Sequence, residues 1–146
     1  MAQTYFGSAL RSGSTALTDT VDGGYVVLSQ TTTVATIAAG TATSATITIP
    51  AYSQIIDLVV DMVTVPSYGT ATKVDATIGT AAAGTQYLSA TDVSLVGRTA
   101  LAFTAAQLTS MSNVGTNQSV VITVDPNGTV ATQGTFRLTV IYAQTV

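Results

Sequence analysis

Threonine fills 29 of the 146 positions, mostly beside valine, isoleucine or alanine, while glutamate is absent and lysine occurs once. Branching at Cβ stiffens χ1 and suits a pleated surface, whereas the good helix formers Glu, Lys and Gln are missing or sparse here. The chain is therefore directed towards strands over nearly its whole length. Threonine-rich, weakly charged sequence can also form a mucin-like stalk, but that needs proline-rich low complexity, and there are only 3 prolines. With 47% apolar residues, a chain of this length makes one compact domain, burying roughly 68–70% of its extended surface without disulfide or metal staples.

The ionisable set is narrow: 7 acidic residues, all Asp, against 4 basic ones, with no His and no Cys. That removes Ser-His-Asp and Cys-His nucleophiles, zinc-finger clusters and histidine metal sites, and leaves only Asp pairs for carboxylate acid-base work. No enzymatic activity and no cofactor is expected. A net charge of −3 with Arg11, Lys73, Arg98 and Arg137 scattered along the chain argues against nucleic acid and against anionic membranes, both of which need clustered cations. The apolar runs, such as Tyr25 to Leu28 and Ala100 to Phe103, are far below the roughly 20 residues of a spanning helix. Met1 to Leu10 lacks the basic start and apolar stretch of a secretory signal, so synthesis and retention in a cytoplasm are expected.

Residues 1–23 have no sustained period of two and contain Gly7, Gly13 and the beginning of an Asp22-Gly23-Gly24 turn, so they read as an extended arm ahead of a β-sandwich domain at 24–146. In that domain strands are expected at Tyr25–Gln30 and Thr32–Ala38, and at Ser44–Pro50, where Ala45, Ile47 and Ile49 share a face. The strongest lies at Gln54–Val65, with Ile56, Leu58, Val60 and Met62 on one face and Ile55, Asp57, Val59, Asp61 and Val63 on the other. Thr72–Ile78 follows, then a small-residue loop Gly79–Gly84 and one or two short strands in Tyr87–Val96. Phe103–Met111 alone reads as a helix, with Thr104 as N-cap. Asn117–Val124 is a strand, Asp125-Pro126-Asn127-Gly128 a turn, and Thr129–Val130 with Thr135–Tyr142 a terminal hairpin whose Phe136, Leu138, Val140 and Tyr142 point one way. Eight or nine strands without βαβ alternation predict an all-β, two-sheet antiparallel sandwich, with a jelly roll as the leading topology and one short helix near 104–111.

Several constellations bear on chemistry. Asp57 and Asp61 share a strand face but stand about 13 Å apart, too far to hold one ion or to act as a retaining glycosidase pair. They read as a solvated or intersubunit face, a calcium role needing a partner such as Asp75. Asp19 to Gly24 lacks the acidic positions of a helix-loop-helix calcium site, and Gly79–Gly84 lacks the lysine and helix of a phosphate cradle. The triplets Asn117-Gln118-Ser119 and Asn127-Gly128-Thr129 match the glycosylation pattern, which arises easily by chance in such a chain. Tyrosines outnumber phenylalanines 6 to 3, in keeping with corners and interfaces where a ring is buried and its hydroxyl stays wet. Tyr5 and Phe6, in a polar arm, read as anchors for another subunit. The interface candidates are Tyr5, Phe6, Arg11, Asp57 and Asp61.

The run from Ser44 to Asp61, a Thr/Ile strand ended by Pro50 and followed by a Val-rich strand, resembles the paired strands of small virion proteins of tailed bacteriophages. Ile78–Tyr87, Phe103–Leu108 and Gly134–Tyr142 are similar to the middle and the last strand of such proteins. Over residues 24–146 the chain resembles their head decoration, or cement, proteins. The resemblance implies a jelly-roll-like sandwich without catalytic residues, sitting as a homotrimer on the exterior of a capsid, bound to the major capsid protein and tying neighbouring capsomers together. Other virion parts on the same fold, such as a head-fibre base, a tail component or a minor capsid protein, and a carbohydrate-binding or adhesin module are the rival expectations.

Overall fold

The computed structural model describes residues 25–36, 40–112 and 114–145. The arm 1–23, with Tyr5, Phe6 and Arg11, lies outside them, as do residues 37–39 at the end of the expected second strand. The elements run β1 (Tyr25–Ala35), β2 (Thr43–Ile49), β3 (Ser53–Thr64), β4 (Asp75–Gly79), β5 (Leu88–Asp92), β6 (Gly97–Thr99), α1 (Ala105–Met111), β7 (Gln118–Asp125) and β8 (Thr135–Thr145).

The strands form two antiparallel four-stranded sheets, in the orders β1-β8-β3-β6 and β2-β7-β4-β5. This interleaving, in which β1, β3, β6 and β8 fall in one sheet and β2, β4, β5 and β7 in the other, is that of a jelly roll. Its core is made of the inward residues of both sheets. Val34, Phe136, Leu138, Val140 and Val60 come from one side, and Ile49, Val120, Ile122, Val124 and Ile78 from the other. The alternation expected of β2 holds, with Ile47 and Ile49 buried and Thr46 and Thr48 exposed.

Four expectations are corrected. The two runs in Tyr25–Ala38 are one strand, because β1 pairs with β8 without interruption from Tyr25↔Thr145 to Ala35↔Thr135. The fourth strand begins at Asp75, not Thr72, although Val74 just before it is fully buried. The terminal hairpin does not form. The apolar faces of β7 and β8 oppose one another across the core, so the two strands belong to different sheets, and residues 126–134 cross between them. The turn itself is present, with Asn127 at φ 46 and Gly128 at φ 135, and Val130 bridges to Tyr68.

The fourth correction concerns the phase of β3. Its pairing with β8 shifts between Ile55↔Tyr142 and Asp57↔Ile141, so one residue is left unmatched and the inward set changes from odd to even positions. Ile55 is thus buried with Leu58, Val60 and Met62, while Ile56, expected inside, is exposed. Ile55→Ala should therefore cost about 2–5 kcal/mol and Ile56→Ala less than about 0.5 kcal/mol. Urea unfolding of the two variants checks this, and equal costs would contradict the bulge.

The helix caps as its sequence predicts. Thr104 Oγ1 accepts from the Gln107 backbone N–H at 3.3 Å and Gln107 Oε1 accepts from the Thr104 N–H at 2.8 Å. The buried Gln107 amide also donates to Ser89 Oγ at 3.1 Å, fastening α1 to β5.

Candidate interaction surface

At one end of the sandwich the β3–β4, β5–β6 and β7–β8 connections meet. Thr129 O accepts from the N–H groups of Gly69 and Ala71 at 3.1 and 3.0 Å. The Thr70 and Thr129 hydroxyls stand 2.9 Å apart. Gly128 is required at this crossing: at φ 135 a Cβ would also come within 2.8 Å of Ala71 N. Residues that could be a loose loop are thus knitted into a firm platform.

The β5–β6 connection is pinned to this platform at its base. Val93 is fully buried and donates to Val74 O at 2.9 Å. Ser94 Oγ accepts from the Val74 N–H at 2.9 Å, the Ser94 N–H donates to Asp92 Oδ1 at 2.9 Å, and the Ser94 hydroxyl also bonds that carboxylate. Tyr68 Oη reaches Ser94 O at 3.4 Å. The hydrogen bond from the Ser94 side chain holds the Asp92 carboxyl below its usual range.

Above this base Leu95 and Val96 project into solvent, 83% and 69% exposed, before Gly97 at φ 92 turns the chain into β6. The β3–β6 ladder, with Asp61↔Arg98, ends at Met62↔Gly97, so Val63 and Val96 are the residues that leave it at this end. A second irregularity in β3, between Met62 and Thr64, leaves Val63 unmatched by β8. Val63 and Val65 are 52% and 49% exposed. Four exposed aliphatic residues, Val63, Val65, Leu95 and Val96, therefore lie just beyond this end of the ladder and make up its uncovered tip, and apolar exposure of this kind marks contact sites on soluble proteins.

Asp61 lies beside the tip. Its carboxylate takes Arg137 Nη2 at 3.0 Å and Arg98 Nε at 3.6 Å. Both arginines are well exposed although the Asp61 side chain is only 14% exposed, and each such solvent-screened pair contributes at most about 1 kcal/mol to the fold. The cluster leaves two guanidinium groups against one carboxylate at the tip's rim. Asp57 is on the same outer face but remote from the cluster, and its carboxylate accepts from the Leu58 backbone N–H at 2.8 Å. The structure thus puts Asp61 next to the apolar tip and leaves Asp57 apart from it.

Asp75, suggested as a partner for either, is in the other sheet. There the register sets it between Asp92 on β5 and Asp125 on β7. Lys73 Nζ at 2.7 Å and Asn127 Nδ2 at 2.6 Å occupy its carboxylate. The Lys73 ammonium is raised above its usual range chiefly by its hydrogen bond to Asp75. Asp75, Asp125 and Asn127 line a pocket of about 190 Å³ together with Ala83, whose N–H donates to Thr123 Oγ1 at 2.8 Å. No group of three acidic side chains among the described residues is placed to hold a metal ion. No described helix is long and apolar enough to cross a membrane. Elsewhere, burial raises the Tyr87 hydroxyl above its ordinary value.

The tip residues were hidden in the sequence because Tyr87–Val96 reads as strand. The available signal was the Asp92-Val93-Ser94 turn followed by Leu-Val-Gly, an apolar pair between two chain reversals. No family model, no curated protein and no solved structure matches the chain.

Proposed function

We propose that this protein is a structural, non-catalytic virion component that decorates the outer surface of a phage capsid, bridging neighbouring capsomers as a homotrimer seated on the major capsid protein. The observation that carries this reading is the apolar tip of Val63, Val65, Leu95 and Val96 on an immobilised jelly-roll end. A soluble domain normally has about a quarter charged residues. Here 8% are charged, and the outward positions of β1 and β8 are hydroxyls and methyls, as in the Thr31–Thr139 contact at 3.2 Å. Arg137 is the charged exception on that face, and a surface so sparsely charged suits burial against sister subunits and a shell. Many weak contacts on one lattice then add up to firm attachment.

Asp61, Arg98 and Arg137 border the tip and supply polar contacts at its rim, which give orientation more than affinity. The reading is tested by sedimenting purified protein with heads that lack it. Saturable pelleting at a fixed ratio to the major capsid protein, with heads gaining resistance to heat, is the expected result. Absence of binding to heads overturns it, and labelled protein found on tails instead assigns the chain to another part of the particle.

A further inference from the structure

We infer that the free edge of β1 pairs with β1 of a second copy of this chain, antiparallel across a two-fold axis at Gln30, so that two sandwiches share one continuous sheet. β1 ends the sheet order β1-β8-β3-β6, so among the described residues only one side of it is bonded to another strand. Among the described residues its other side has no backbone partner, apart from the Ala35 carbonyl, which accepts from the Thr43 hydroxyl. An edge of this kind is a ready template for another strand, and folded proteins usually blunt it with charge, proline, a bulge or shortness.

Two of the other three edges are blunted. β5 has 5 residues, an irregular register and Asp92; β6 has 3 residues and Arg98. β1 has 11 residues, Tyr-Val-Val-Leu-Ser-Gln-Thr-Thr-Thr-Val-Ala, and no shift in register. It contains no charge, proline or glycine. β2, the other edge of the second sheet, has only 7 residues, packs against β1 and reads Thr-Ser-Ala-Thr-Ile-Thr-Ile, also uncharged. An approaching copy therefore meets no charged side chain in either edge strand.

The occupant follows from this comparison. Of the chain's own edges only β1 matches β1 in length, and self-pairing sets no like charges opposite one another. With Gln30 on the axis, Ser29 stands opposite Thr31 of the copy, Val27 opposite Thr33, Leu28 opposite Thr32, and Val26 opposite Val34. These are hydroxyl and aliphatic cross-strand pairs of the stabilising kind. Val27, 61% exposed in the single chain, gains a neighbour. Such a contact is isologous and closes after two copies. It needs neither the shell nor the apolar tip, and on a lattice it would link trimers to one another.

The test uses the full chain carrying Leu95→Asp and Val96→Asp, so that association through the tip is removed and the two readings fail separately. Sedimentation equilibrium from low micromolar to submillimolar concentration should show the mass doubling. Exchange of β1 amides should slow about tenfold at the upper end. Adding Ser29→Lys and Thr31→Lys, both at exposed positions, should restore the monomer with unchanged circular dichroism. A monomer at every concentration, or a dimer that survives the lysines, overturns the inference. A dimer that appears only after deletion of residues 1–24 also overturns it, since that segment would then occupy the edge in the intact chain.

Discussion

Replacing Phe136 by alanine should lower unfolding free energy by about 3–5 kcal/mol, the cost of lost transfer energy plus an unfilled cavity. The side chain has no exposed surface and belongs to β8, the strand between β1 and β3. It faces Val34 on one neighbour and Met62 on the other. β1 is held in an uninterrupted ladder and β3 is paired on both sides of its bulges, so the walls cannot close fully on the space a ring leaves. Domains are stable by only about 5–15 kcal/mol, so the variant forfeits a large share of the total. Urea denaturation should show a lower midpoint with an unchanged slope. A loss below about 1 kcal/mol would mean that the sheets can collapse on the cavity.

Much of this was legible because β strands write their burial in a period of two. Phe136, Leu138, Val140 and Tyr142 are spaced for one face, and all are buried. Thr104 with Gln107 three residues on announces the helix start, and both reciprocal bonds are formed. What escaped reading is non-local. The Ile55-Ile56 pair fits either phase, and only pairing with Tyr142 and Ile141 decides which isoleucine goes in. The turn at Asp125–Gly128 is legible, yet a turn does not state whether the next strand returns to the same sheet. That depends on two apolar faces meeting across the core. Asp61 was visible as a charge on the outer face of β3, but its partners Arg98 and Arg137 come from β6 and β8. The arm residues Tyr5, Phe6 and Arg11 lie outside the described part of the chain.

The larger functional effect is expected at the tip. On the proposed reading, Leu95→Asp with Val96→Asp should weaken trimer formation and head binding by at least about a hundredfold while leaving the fold intact. Burying an aliphatic side chain of this size contributes about 1.5–3 kcal/mol. Losing two per copy corresponds to roughly 3–6 kcal/mol, and every 1.4 kcal/mol is a factor of ten. Two carboxylates brought into an apolar contact add a desolvation cost in the same direction. The fold should not suffer, because both residues are mostly exposed and the connection is held by buried Val93, by Ser94 on Asp92 and by the Gly97 reversal. Sedimentation velocity with head co-sedimentation measures the effect, and thermal melting within a few degrees of the parent shows that folding is preserved. Arg98→Ala at the rim serves as a contrast: its exposed pair with Asp61 predicts at most about a fivefold loss, since such pairs contribute up to about 1 kcal/mol. If the aspartate variant kept the parent's mass and affinity while Arg98→Ala lost both, attachment would be electrostatic and the aliphatic cluster would not be the contact.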